Sequence, residues 1–316
     1  MIFLNIQKKT GELQMIQPWT TYLNDQVIGQ SKAIKLSTIA LLSGGHVLLE
    51  DRPGTGKTTL ARSLASSVSA AFQRVQCTPD TLPSDILGME LFNPTTGSFE
   101  RRTGPIFTSI LLVDEINRTT PRTQSALLEA MQERQVTLGE VSLRLPDPFF
   151  VIATQNPFDG QGTFPLPQAQ LDRFLFKLSL APLSRESERR LLRNEHLSAA
   201  PFTLKQDELA EMQQAVRDVT FHEAIEDYLL DFVEVLRHHR DIEVGPSPRA
   251  TLAYTMAARA HAFMDGRDYV SPEDIRALAM PILGHRVVLT VEASLKTKPS
   301  KLIKSVLETI AVPSEV

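Results

Sequence analysis

Gly54, Gly56, Lys57 and Thr58 fall within one short stretch, Pro53-Gly54-Thr55-Gly56-Lys57-Thr58-Thr59. It lies between an apolar run, Val47 to Leu49, and a segment of helical spacing, Leu60 to Ala65. A glycine-bearing turn in that position can curl its backbone N–H groups around phosphate oxygens at the positive end of a helix. Lys57 would reach the β- and γ-phosphates of a nucleotide, and the Thr58 hydroxyl would ligate Mg²⁺. The strict pattern asks for glycine where Asp51 stands, but the residues that touch phosphate keep their register. A later apolar run, Ile110 to Val113, ends in Asp114-Glu115. Parallel α/β sheets gather ligands at the carboxyl ends of their strands, so the two stretches belong to one site. Asp114 would hold Mg²⁺ or its water shell, and Glu115 would act as general base on the attacking water. The chemistry is that of a nucleotide site with Mg²⁺.

Other side chains are candidates at the same place. Asn156 follows a fourth apolar run and either orients the water, senses the γ-phosphate, or simply turns the chain before Pro157. Arg173, in Leu171-Asp172-Arg173-Phe174, stands too far along the sheet edge to serve its own nucleotide easily. It suits a neighbour's γ-phosphate in a ring, or else a surface ion pair with Asp172. Arg249 opens a helix after Gly245-Pro246-Ser247-Pro248 and could reach back across a cleft to phosphate. Val27 and Ile28, before Gly29-Gln30, either floor an adenine pocket or form a helix-opening turn. Arg118 is a weaker candidate for a subunit interface.

The elements that must hold these residues can be read from periodicity. Strands are expected at 47–49, 72–77, 110–113, 149–154 and 175–180, with an amphipathic helix over 121–133. Two hairpins are expected, one around Asn93-Pro94-Thr95-Thr96-Gly97 and one around Gly139-Glu140. After about residue 182 the period is helical throughout. Ser271-Pro272-Glu273-Asp274 is a capping box with proline at the first helical position. The expected division is an N-terminal arm (1–17), an α/β core (18–182), an all-helical lid (183–290) and a fraying C-terminal tail (291–316).

Bulk composition narrows the class. A chain of 316 residues can bury a large core, and 42% hydrophobic with 22% charged residues is ordinary for a globular protein. A net charge of −4 argues against a nucleic-acid partner, which usually leaves a basic imprint. The single cysteine, Cys77, reads as a buried structural thiol and fits a reducing cytosol. No apolar run approaches the ~18 residues of a membrane span.

Together the motifs resemble the MoxR family of AAA+ ATPases. The segments that carry the resemblance include Pro53 to Thr58, Gln76 with Thr78-Pro79-Asp80, Leu82-Pro83-Ser84-Asp85 and Gly104-Pro105-Ile106-Phe107. Asp114-Glu115-Ile116-Asn117-Arg118, Ala153-Thr154-Gln155-Asn156-Pro157, Leu166 to Phe174 and Ser247-Pro248-Arg249-Ala250 extend it over roughly residues 25 to 285. The resemblance implies a P-loop NTPase core with strand order 5-1-4-3-2, a helical lid, and hexameric rings with ATP at subunit interfaces. It implies Arg173 as arginine finger, Asn156 as sensor 1, Arg249 as sensor 2, and the hairpins as inserts 88–101 and 135–145. It also implies chaperone-like remodelling of a protein client, often with a partner carrying a von Willebrand factor A domain. A nucleic-acid motor of the minichromosome-maintenance type shares both inserts, but the hairpin tips here carry no lysine or arginine. A magnesium-chelatase-like subunit would differ only in its partners, and a small-metabolite kinase would need no helical lid.

Overall fold

Val47 to Leu49, Ile110 to Asp114 and Phe150 to Thr154 are buried along their whole length, as the inner strands of a parallel sheet with both faces covered must be. The structure is a computed structural model and describes residues 2–50, 55–157, 162–198 and 200–313. Helices α1 (Ile2–Gln26) and α2 (Ser31–Leu42) lead into β1 (Val47–Glu50), followed by α3 (Lys57–Ser67) and β2 (Phe72–Gln76). A short α4 (Pro83–Leu87) precedes an antiparallel hairpin, β3 (Gly88–Asn93) and β4 (Ser98–Thr103). Then come β5 (Ile110–Asp114), α5 (Pro121–Glu133) and a second hairpin, β6 (Gln135–Leu138) and β7 (Val141–Arg144). The core closes with β8 (Phe150–Gln155), α6 (Gln168–Leu171) and β9 (Phe176–Leu178).

Five strands form one sheet in the order β2-β5-β8-β1-β9, every pair parallel. Counted along the chain, this is the expected order 5-1-4-3-2. Alternation along each strand divides the interior in two. Val47, Leu49, Ile110, Leu112, Phe150 and Ile152 face one hydrophobic cluster. Leu48, Leu111, Val113, Val151 and Ala153 face the other, beneath α5 and the second hairpin.

The lid comprises α7 (Arg185–Leu192), α8 (Gln206–Arg217), α9 (Glu223–His238), β10 (Ile242–Val244), α10 (Pro248–Met264), α11 (Pro272–Leu283), β11 (Val288–Leu289), α12 (Val291–Ser294) and α13 (Pro299–Thr309). It is not wholly helical, because β10 and β11 pair as a small antiparallel ribbon too short to show a period in sequence. The capping box is present: Asp274 Oδ2 accepts the Ser271 N–H at 2.7 Å. Lid residues such as Phe232, Tyr254 and Leu278 share one continuous core with Leu41, Leu60 and Ile152. The lid is thus welded to one face of the sheet.

Both ends differ from expectation. The segment expected as an arm (1–17) is helical from Ile2 and buries Ile16, and the same helix runs on to place Trp19 and Leu23 in the core. The Trp19 indole N–H donates to Ser67 Oγ at 2.8 Å. Pro18 within this run hides the helical pattern from a reader of the sequence. The tail expected to fray is α13, which buries Leu302, Ile303, Val306 and Leu307 against α9 and α11. Its two lysines, Lys301 and Lys304, are exposed outside that stripe, and with Lys296 and Lys298 just before the helix they mask its amphipathic spacing.

Candidate active site

At the carboxyl end of β1 the chain enters the loop that leads to α3. Pro53 and Gly54, and Asp51 with them, lie outside the described residues. Thr55 and Gly56 complete the turn, and Lys57, Thr58 and Thr59 form the first turn of α3. Gly56 has φ +96°, a left-handed conformation at the N-cap that suits glycine. The opening N–H groups of α3 have no partners within the helix and point toward the loop, where phosphate would sit. Val27 and Ile28 are buried near the carboxyl end of β9, because the next residue but one, Gln30, exchanges two hydrogen bonds with Ala181 (2.8 and 3.0 Å). A Cβ on Gly29 would meet Leu183 and Ser187 at 2.9 Å, so this loop packs tightly beneath the start of the lid.

The two acids end β5 in a dense network. Thr154 Oγ1, from β8, donates to Asp114 Oδ1 at 3.1 Å and accepts the Glu115 N–H at 2.9 Å. Glu115 takes φ +58°, so the chain turns sharply there and its carboxylate swings away from the strand axis. Arg74 on β2 pairs with Asp114 Oδ2 at 2.7 Å, and Gln76 two residues on donates to Glu115 Oε2 at 3.0 Å. Arg118 reaches the same Glu115 oxygen at 3.2 Å. Asp114 and the Thr58 hydroxyl offer the hard oxygen donors that suit Mg²⁺, and a cation, the Arg74 guanidinium, already rests on the Asp114 carboxylate. The residues fit the ion. Cys77, adjoining this site, has its thiol pushed up to about 12, first by burial and then by the charges of Asp114 and Glu115. It is the inert buried thiol expected. Asn156 is buried one residue beyond β8, and its carbonyl accepts from Asn117 Nδ2 at 3.3 Å.

Arg173 and Arg249 are brought together, but not here. They line one cavity of about 400 Å³ with Gly44, Gly45, His46 and Leu175. Those neighbours immediately precede β1 and β9, which run parallel with Val47 opposite Phe176. The cavity therefore opens at the amino ends of the strands, whereas the phosphate loop leaves the carboxyl end. The four residues of β1 alone separate the two by about 13 Å at ~3.3 Å per residue. Arg249 donates to Gln132 Oε1 at 3.1 Å, at the far end of α5. The expectation that Arg249 reaches back to its own phosphate is therefore corrected: it lines one cavity with Arg173, at the opposite end of the strands. The Arg173 Nε is buried with no hydrogen-bond partner among the described residues. Asp172, the expected surface partner of Arg173, bonds elsewhere: Arg286 Nε at 2.7 Å and Ser247 Oγ at 2.8 Å.

Arg74, Gln76 and Thr154 meet the acids without a motif in the sequence that assigns them a role there. Period-two spacing places Arg74 and Gln76 on one face of β2, but the partner strand of β2 was needed to point them at the acids. The first hairpin carries Phe92 opposite Phe99, with ring centroids 5.4 Å apart and 55% and 66% exposed. They pack on one another and face outward.

Comparison with known proteins agrees with this fold. The family model of the ATPase family associated with various cellular activities (AAA) matches residues 46–176, and that of the AAA lid domain matches residues 234–305. The chain is 38% identical to Chaperone MoxR1 of Mycobacterium tuberculosis over 91% of its own length and 79% of the relative's. It is 44% identical to the uncharacterised protein YeaC of Bacillus subtilis, over 92% and 93% of the two chains. Protein MoxR of Methylorubrum extorquens is 31% identical over 91% of this chain and 92% of that one. Among solved structures, a Cytophaga hutchinsonii protein to which ATPase activity is ascribed superposes with a TM-score of 0.90 at 36% identity, covering 99% of both chains.

Proposed function

The chain belongs to the MoxR family of AAA ATPases, and on that footing we propose that it forms rings that hydrolyse ATP between subunits to remodel a protein client. One observation carries the ring: Arg173 and Arg249 share a cavity at the amino ends of the strands, across the sheet from their own phosphate loop. Two guanidiniums lining one cavity suit a phosphate, and one supplied by another copy would meet them there.

In such an interface Lys57 and the α3 N-terminus hold the β- and γ-phosphates of one subunit's ATP. Thr58 and Asp114 would hold a magnesium ion, which would supply charge neutralisation for the phosphates. Glu115 takes a proton from water as its oxygen attacks the γ-phosphorus, and the bond to the ADP oxygen breaks. Asn156 orients that water. Arg173 and Arg249 of the neighbour stabilise charge on the moving phosphoryl group, an effect worth ~10³–10⁵ in rate for such fingers. The paired Phe92 and Phe99 rings face a central pore and grip client chain without sequence preference. A partner carrying a von Willebrand factor A domain brings the client.

Arg173→Ala should therefore bind ATP yet turn over poorly, and Lys57→Ala should not bind it. Mixed, the two inactive variants should regain activity, because some interfaces pair an intact loop with an intact finger. No recovery in mixed rings verified by native mass spectrometry would sink the interface reading. A Glu115→Gln ring trapped with ATP supplies the bait for identifying the client.

A further inference from the structure

Arg286 is a buried cation whose guanidinium makes five hydrogen bonds, and the steps derived above do not use it. Its side chain is 2% exposed and follows α11 in the lid, yet every partner but one lies in the core. Nε donates to Asp172 Oδ1 at 2.7 Å, Nη2 to the Asp172 carbonyl at 2.9 Å and the Phe174 carbonyl at 2.7 Å, and Nη1 to the Leu175 carbonyl at 3.0 Å. The remaining bond, Nη1 to the Ile282 carbonyl at 2.6 Å, ties the guanidinium to its own helix. Arg286 thus holds the main chain on both sides of Arg173. The Asp172 carboxylate has a second role, accepting Ser247 Oγ at 2.8 Å. Ser247 is the N-cap of α10, taking the Ala250 N–H at 3.1 Å, and α10 carries Arg249 two residues later. His285 adds a further tie, its Nε2 lying 3.1 Å from the Phe174 carbonyl.

A buried guanidinium that lost its carboxylate would be an uncompensated charge, so this cluster resists opening. Burial lowers the Arg286 pKa, and the nearby charge of Arg249 lowers it further, while Asp172 raises it. Arg249 and Arg286 line the same cavity, and Arg249 follows the Ser247 cap by two residues.

We propose that Arg286 and Asp172 are positioning residues: with Ser247 they lock the Arg173 loop and the Arg249 helix into one body that presents both guanidiniums to a neighbouring subunit's phosphate. The inference rests on the trans role of Arg173. It goes further in assigning the alignment of both arginines to a lid residue whose guanidinium donors are engaged by protein oxygens. Because lid and finger are one body, the lid of one subunit moves with the phosphate state of the next.

Mixed rings test it, because they report which side of an interface a lesion affects. Arg286→Lys keeps the charge but has three donors on a point-like head, and cannot bridge both sides of Arg173. Turnover should fall ~10- to 10²-fold, as expected when a catalytic group is misplaced by about an ångström. ATP affinity should stay within about twofold. Mixed with Lys57→Ala, Arg286→Lys should regain activity; mixed with Arg173→Ala it should not, since both lesions then lie on the finger side. The reverse pattern would put the lesion at the variant's own phosphate loop and overturn the proposal. The control pair, Lys57→Ala with Arg173→Ala, separates the two ideas. If that pair fails to recover, the trans role itself falls. If it recovers while Arg286→Lys shows the reverse pattern, only the positioning role falls. Should thermal melting show that Arg286→Lys does not fold, Ser247→Ala and Asp172→Asn read the same cluster. Both should show smaller losses with the same pairing pattern, and wild-type turnover in both would refute the proposal.

Discussion

Thr154→Val swaps a hydroxyl for a methyl group of nearly the same shape, so it leaves no cavity and tests one contact. The hydroxyl is fully buried, donates to Asp114 Oδ1 at 3.1 Å and holds the Glu115 N–H at 2.9 Å. A hydrogen bond to a charged group is worth ~1.5–3 kcal/mol, and an amide left without its acceptor costs ~1–3 kcal/mol. Losing both should lower stability by about 2–4 kcal/mol, allowing for partial relaxation. The catalytic effect comes from backbone geometry. Glu115 sits at φ +58°, a conformation that costs ~1–2 kcal/mol, and Thr154 is one of the contacts that hold it there. Released, the turn relaxes and the carboxylate leaves the line of attack. The ceiling on the rate loss is the whole worth of a general base, ~10²–10⁴-fold, and a displacement of about an ångström predicts ~10–10²-fold. The assay is single-turnover ATP hydrolysis in a double-mutant cycle with Glu115→Gln, beside denaturant unfolding of each variant. In the Glu115→Gln background Thr154→Val should keep its stability cost but change the residual rate by less than about twofold. An equal rate loss in both backgrounds would refute the claim that Thr154 acts through Glu115.

Acidification should destabilise the fold through two buried imidazoles. His46 accepts the Val151 N–H at Nδ1 and lies against the Met131 carbonyl at Nε2. Burial, then Arg134, lowers its pKa to about 3, and burial, then Arg286, does the same for His285. Between pH 6.5 and about 3 the unfolded chain binds protons that the folded chain excludes, so stability falls with falling pH by ~1.4 kcal/mol per unit for each histidine. Urea midpoints at pH 7.5, 6.5 and 5.5 should show a plateau and then a drop; a midpoint unchanged from pH 6.5 to 5.5 would count against neutral burial. Phe92→Ala with Phe99→Ala should leave melting temperature and basal turnover near wild type while abolishing client stimulation, because both rings are exposed. A lowered melting temperature would mean that they pack structurally. Trp19→Ala should cost ~3–5 kcal/mol by chemical denaturation, the price of a buried aromatic. A change under about 1 kcal/mol would return that helix to the status of a loose arm.

The amino-acid order by itself determined the local pieces and much of the chemistry. Strand and helix periods, the Ser271 cap, the turn leading to Lys57 and the acids ending β5 are each written within a few residues, because capping, turn conformation and facial burial are short-range physics. Position at the carboxyl end of a strand is the ground for expecting Lys57, Thr58, Asp114 and Glu115 in one site, and β1 and β5 do lie in one parallel sheet, each beside β8. Tertiary structure decided what depends on which faces are buried together. The helix before β1 joins the core through Trp19, and α13 joins it through a stripe hidden among lysines. Arg249 illustrates the limit most clearly. Its position at a helix start was legible, but the end of the strands that start would reach depended on how the lid buries itself against α1 and α2. The contact that fixes the answer joins Asp172 to Arg286, 114 residues apart in the chain. No local period records such a contact, because it is selected only once two large apolar faces have met.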